Sequence, residues 1–157
     1  MDKPLVLVVD DEVAMADMIT EMINESAKYK VITAYSAKEA LEYLANHKRL
    51  FGLAKNRIGC IILDIKMPEM DGLQFLEKIR KEMLYRIPVV IVSAYEDGNK
   101  WLRALDGEVA VYLKKPVQKD SLLATIDNIF AGEEDGMIRD TWWDKVDQID
   151  ATTEEEK

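Results

Sequence analysis

The chain has 157 residues, 48 % of them hydrophobic, which suits one domain with a full core. Thirty acidic residues against 21 basic give a net charge of −9, arguing against direct nucleic-acid binding or adhesion to anionic membranes. No apolar run approaches the length of a membrane span, no signal peptide is visible, and the lone Cys60 cannot form an internal disulfide, so a soluble cytoplasmic protein is expected.

Strand-like and helix-like segments alternate. Leu5–Val9 is a continuous apolar run, followed by Met15, Met18, Ile19, Met22 and Ile23 at helical spacing. Lys30–Ala34 reads as a second strand. Ser36 with Glu39 has the pattern of a capping box opening a helix striped by Ala37, Ala40, Leu41, Leu44 and Ala45. The basic stretch 48–57, KRLFGLAKNR, joins this helix to a third strand, Ile58–Leu63. Leu76, Ile79 and Met83 mark the next helix, and Ile87–Val92 is a β-branched strand with Pro88 at its start. Trp101, Leu102 and Leu105 predict a short helix, Val109–Leu113 a fifth strand, and Leu122, Leu123, Ile126, Ile129 and Phe130 a last amphipathic helix.

Apolar strands separated by helices imply a doubly wound α/β fold, its parallel sheet covered on both faces. Such sheets hold their functional site beyond the carboxyl ends of the strands. Those ends carry Asp10 and Asp11, then Asp64, Ser93, Lys114 and Lys115. One ammonium cannot neutralise three carboxylates. Oxygen-only donors suit a hard divalent cation such as Mg²⁺, and a metal beside an aspartate and a lysine is equipment for phosphoryl transfer. Any one aspartate alone reads equally well as a helix cap or loop residue. The seven scattered glycines form no GxGxxG or GxxxxGK[ST] loop, which argues against a nucleotide-binding fold. Asp10 and Asp11 are adjacent, not the Asp-x-Asp of a haloacid-dehalogenase-like phosphatase. The lone His47, at the polar end of a helix, reads as solvated, and Cys60, inside an apolar run, as core.

The motifs VVDDE, ILDIKMPEMDG, IVSAY and YLKKP, in this order after four of the strands, resemble the response-regulator receiver domain of two-component signalling. The resemblance covers residues 3–131. It implies a five-stranded flavodoxin-like (βα)5 fold with strand order 2-1-3-4-5. It makes Asp64 the phosphoacceptor, charged by a sensor histidine kinase or a histidine phosphotransfer protein. Asp11 directly, Asp10 through water, Asp64 and the Lys66 backbone carbonyl would hold Mg²⁺. Lys115 would pair with the phosphoryl group, with its bond to Pro116 cis, while Lys114 would be a surface residue. Ser93 and Tyr112 would form the switch that a downstream protein target reads. The chain would be no enzyme beyond promoting its own phosphorylation and dephosphorylation. Pro68 would stiffen the loop after the acceptor, and Gly72 would permit the backbone turn before the next helix.

Residues 1–132 are thus expected to form the receiver, nearly neutral at net −2. Residues 133–157 form an acidic tail with ten acids and three bases, too short for an output domain. Ile138, Trp142, Val146 and Ile149 share a helical face, so the tail reads either as a short helix near 138–149 docking on its own domain, on the mate in a homodimer or on a partner, or as a disordered acidic segment. Two other roles stay open: a phosphorelay carrier passing the group to another histidine, and the receiver fragment of a longer regulator.

Overall fold

Alternate residues of the strands point to opposite faces, and in this chain both faces are apolar, so helices are needed on each side. A computed structural model describes residues 2–47, 56–94, 108–133, 135–142 and 144. Five parallel strands, β1 (Leu5–Val9), β2 (Lys30–Ala34), β3 (Ile58–Asp64), β4 (Val89–Ser93) and β5 (Val111–Lys114), lie in the order β2-β1-β3-β4-β5. The helices are α1 (Val13–Glu25), α2 (Ala37–Asn46), α3 (Gly72–Glu77) and α4 (Lys119–Phe130). On one face Leu7, Val9, Ile61, Leu63, Val89 and Ile91 pack under α2 and α3; on the other Val6, Val8, Cys60, Ile62, Val90 and Val92 pack under α1 and α4. This doubly wound α/β arrangement is the fold expected from the sequence.

Local signals explain most boundaries. The Ser36 side chain accepts from the Glu39 N–H at 3.1 Å and starts α2. Helix α3 begins with a capping box that the sequence reading missed: Asp71 Oδ1 accepts from the Gln74 N–H, and the Gln74 side chain accepts from the Asp71 N–H. Helix α3 runs into a π-helical turn, Lys78–Glu82, where the buried Arg80 donates to the Tyr85 carbonyl at 2.7 Å. Strand β4 starts at Val89 and β5 at Val111, each two residues later than expected, while β3 extends by one residue so that Asp64 pairs with Val92. His47 is half-buried rather than solvated, its ring Nδ1 donating to the Tyr43 carbonyl at 2.8 Å. Cys60 is fully buried, and burial pushes its thiol up to about 12.

Residues 135–142 are helical. The face turned to the domain carries Met137, Ile138 and Thr141, so of the expected stripe Ile138 packs while Trp142 is 41 % exposed, and Val146 and Ile149 lie outside the described residues. The predicted helix at Trp101–Leu105 and most of the 48–57 join lie outside the described residues. No described helix is long and apolar enough to cross a membrane.

Candidate functional site

At the carboxyl ends of β1, β3, β4 and β5 an open cleft of about 700 Å³ is lined by Asp11, Glu12, Asp64, Lys66, Met67, Pro68, Ser93, Ala94 and Lys115. Asp10 and Asp64 are buried, at 1 % and 6 % exposure, because each is the residue with which its strand delivers the chain from the core. One carboxylate oxygen from each of Asp10, Asp11 and Asp64 lies within 4.8 Å of the others, Asp11 being the more exposed of the three. Lys115 Nζ stands 3.0 Å from Asp10 Oδ2 and 3.4 Å from Asp64 Oδ1. Asp10 Oδ1 also accepts from the Glu12 N–H at 3.0 Å, which tightens the turn into α1.

The electrostatics follow from this crowding. Burial, reinforced by the negative charge of Asp10, raises the Asp64 carboxyl to about 6, with Lys115 pulling the other way. Burial works against the charge on Lys115, but its hydrogen bond to Asp10 and its attraction to Asp64 outweigh that, so its ammonium is held more firmly than usual. Two buried carboxylates and a third nearby therefore face one ammonium within ion-pair distance among the described residues. The all-oxygen donor set and the excess of negative charge fit a hard divalent cation.

Gly72 has a function here that its expected part in a turn did not capture. Its φ is negative, as in any helix, but a Cβ built on it would lie 2.2 Å from the Asp64 carbonyl oxygen and 2.8 Å from Ile65 Cα. Its N–H donates to the Ile65 carbonyl at 2.8 Å. The glycine lets the first turn of α3 press against the backbone that carries Asp64.

Strands β4 and β5 supply the other two groups. Ser93 is buried at 2 % exposure beside the cleft, and Tyr112, half-buried against the α2–α3 face, directs its hydroxyl to the Ser93 carbonyl at a long 3.4 Å. The main chain of Lys115 donates to the same carbonyl at 2.9 Å, and the Lys115–Pro116 bond is cis. Lys114 is exposed. Lys66 is exposed at the cleft rim.

Residues 6–127 match the family described as the response regulator receiver domain. The chain belongs to that family. It is 30 % identical over 136 residues to "Response regulator Rre1" of Synechocystis sp., covering 85 % of this chain and 55 % of that protein. "Transcriptional regulatory protein CrdR" of Helicobacter pylori is 28 % identical over 125 residues, 80 % of this chain and 54 % of its own length. The receiver thus spans about half the length of the curated relatives it matches. Among solved structures, the chemotaxis protein CheY4 of Vibrio cholerae superposes with a TM-score of 0.68 at 26 % identity, covering 81 % of this receiver and 98 % of that chain. A CheY-like receiver domain protein from Methanospirillum hungatei gives a TM-score of 0.69 at 26 % identity, covering 89 % and 99 %. The chain therefore carries a receiver domain of a two-component response regulator, a signalling module whose acidic cluster could hold a metal.

Proposed function

We propose that Asp64 is the phosphoacceptor of this receiver, taking its phosphoryl group from a phosphohistidine on a sensor histidine kinase or a histidine phosphotransfer protein. A carboxylate oxygen of Asp64 forms a bond to phosphorus as the P–N bond breaks, and the electron pair stays on the imidazole nitrogen. The observation that carries this reading is the placement of Asp64 at the end of a buried strand, with Lys115 Nζ 3.4 Å from its carboxylate. Lys115 holds one incoming oxygen as a point charge. Asp11, Asp10, Asp64 and the Lys66 carbonyl would hold Mg²⁺, which when bound neutralises the carboxylates and the charge of the transferring group. The Ser93 hydroxyl meets another phosphoryl oxygen, and Tyr112, already in contact with the Ser93 main chain, follows the loop as it closes. The protein is no enzyme beyond its own phosphorylation and dephosphorylation, and the switched surface acts by binding a downstream protein target in the cytoplasm, not nucleic acid. Residues 1–132 make up this unit and 133–157 its acidic tail.

The test is intact mass after incubation with a small acyl phosphate and Mg²⁺. One added phosphoryl group is expected, absent in Asp64→Asn and with EDTA. Label that persists in Asp64→Asn would move the acceptor elsewhere. The half-length match to relatives named as regulators favours a second reading, the receiver portion of a longer regulator. A phosphorelay carrier would differ by returning the label to a histidine phosphotransfer protein.

A further inference from the structure

The chain does not leave the domain where the family match ends at residue 127. Gly132, at φ +85°, turns it back after α4, as a left-handed glycine past a helix end does. The helical residues 135–142 then return to the sheet. Met137 and Ile138 pack into the cluster beneath α1 and α4, which Val111 and Leu113 of β5 also join. Thr141 Oγ1 donates to the carbonyl of Ala110, the residue just before β5, at 2.8 Å.

Strand β5 is therefore held at both ends. The residue just before it accepts from Thr141; just past its last, Lys115 is fastened to the Ser93 carbonyl and to the carboxylates of the cleft. The strand between them is short and poorly buried. Val111, Tyr112 and Leu113 are half-buried and Lys114 is exposed, whereas all five residues of the neighbouring β4 are buried.

We propose that the helical segment 135–142 is an intramolecular latch on β5 that phosphorylation of Asp64 releases. The proposal rests on the acceptor reading above. A phosphoryl group on Asp64 adds negative charge beside an ammonium now shared with Asp10, and draws Lys115 toward its oxygens. The main chain of β5 follows. Met137 and Ile138 pack against the cluster that β5 joins, Thr141 is bonded to the residue before β5, and such contacts weaken when one partner shifts by a fraction of an ångström. Linkage makes the effect reciprocal: a tail that fits the unmodified strand better disfavours the phosphorylated state by the same factor.

The test uses the full chain, with beryllium fluoride and Mg²⁺ as a reversible phosphoryl mimic. Amide exchange is followed across 135–142, and the affinity for the mimic is measured for wild type, Met137→Asp/Ile138→Asp and Thr141→Val. Faster exchange of 135–142 on binding is expected, with tighter binding by the double variant on the order of 5-fold and a smaller shift in Thr141→Val. Circular dichroism identifies a variant that has lost its fold, in which case Thr141→Val carries the comparison. Binding with unchanged exchange and equal affinities overturns the latch and leaves the acceptor in place. Slower exchange on binding overturns it too, since the tail would then favour the modified state. No binding of the mimic, with no mass added by an acyl phosphate, removes the acceptor reading and the latch with it.

Discussion

Strands β3 and β5 both deliver a charged side chain to the same cleft, yet they are built differently. β3 lies at the centre of the sheet between β1 and β4, with six of its seven residues buried, and it ends on Asp64. β5 lies at the edge, none of its four residues is fully buried, and it leads into Lys115. On the function proposed above, Asp64 receives a phosphoryl group and must keep its geometry, because a displacement of about 1 Å in a reacting atom costs about a hundredfold in rate. The group that reports the new charge must be able to move. The sheet puts Asp64 at the end of a buried central strand and Lys115 just past a half-buried edge strand.

The comparison breaks most readily through the core. Ile62 of β3 and Leu113 of β5 contribute to the same cluster under α1 and α4, one fully buried and the other only partly. Ile62→Ala leaves a cavity that its neighbours cannot close, and a loss of about 3–5 kcal/mol is expected in urea unfolding. Leu113→Ala, with solvent on one side, is expected to cost about 1 kcal/mol. Equal losses would show that β5 is packed as firmly as β3, and the distinction between a fixed acceptor and a mobile reader would fail.

A smaller effect is expected at Gly72. In Gly72→Ala the new methyl meets the Asp64 carbonyl oxygen at 2.2 Å, so α3 or the end of β3 has to move. Overpacking of this kind costs about 1–3 kcal/mol. Because the displaced backbone carries Asp64, the proposed acceptor, the rate of labelling by an acyl phosphate is expected to fall by more than tenfold while circular dichroism stays native. A variant destabilised but labelled at the wild-type rate would show that α3 absorbs the strain and leaves β3 untouched.

Gly72 also marks how far the sequence is legible. Apolar runs and helical spacing predict the strands, the two covered faces and the residues at the strand ends, because burial in a parallel sheet leaves a one-dimensional trace. The motifs around Asp10, Asp11, Asp64, Ser93 and Lys115 identify which of those ends meet. What the sequence does not carry is distance between segments. Gly72 reads as a turn residue until the Asp64 carbonyl is found against it, and the Asp71–Gln74 capping box is hidden in a stretch already claimed by the acceptor motif. The tail shows the same limit. Periodicity finds an apolar stripe through Ile138 and Trp142, but Met137, Ile138 and Thr141 are the residues that dock, because the cluster under α1 and α4 and the Ala110 carbonyl they meet are distant in sequence.

A last prediction separates Asp64's duty in the cleft from its contribution to the fold. In the metal-free protein, burial beside Asp10 lifts the Asp64 carboxyl from 3.8 to about 6. A raised folded-state value means that ionised Asp64 opposes folding. The penalty is absent below the unfolded value, grows between about pH 4 and pH 6, and is fully present above that. Asparagine keeps the shape without the charge but forgoes the attraction of Lys115. Asp64→Asn is therefore expected to be more stable than wild type by about 1–2 kcal/mol at pH 7.5 in EDTA, and no more stable near pH 4. Mg²⁺ is expected to stabilise wild type more than the variant and so narrow the gap at pH 7.5. Thermal unfolding of both proteins at the two pH values, with and without Mg²⁺, checks each arm. A variant less stable than wild type in EDTA at pH 7.5 would mean that Lys115 alone neutralises the cluster, and the strand-end carboxylates would then need no metal to fold.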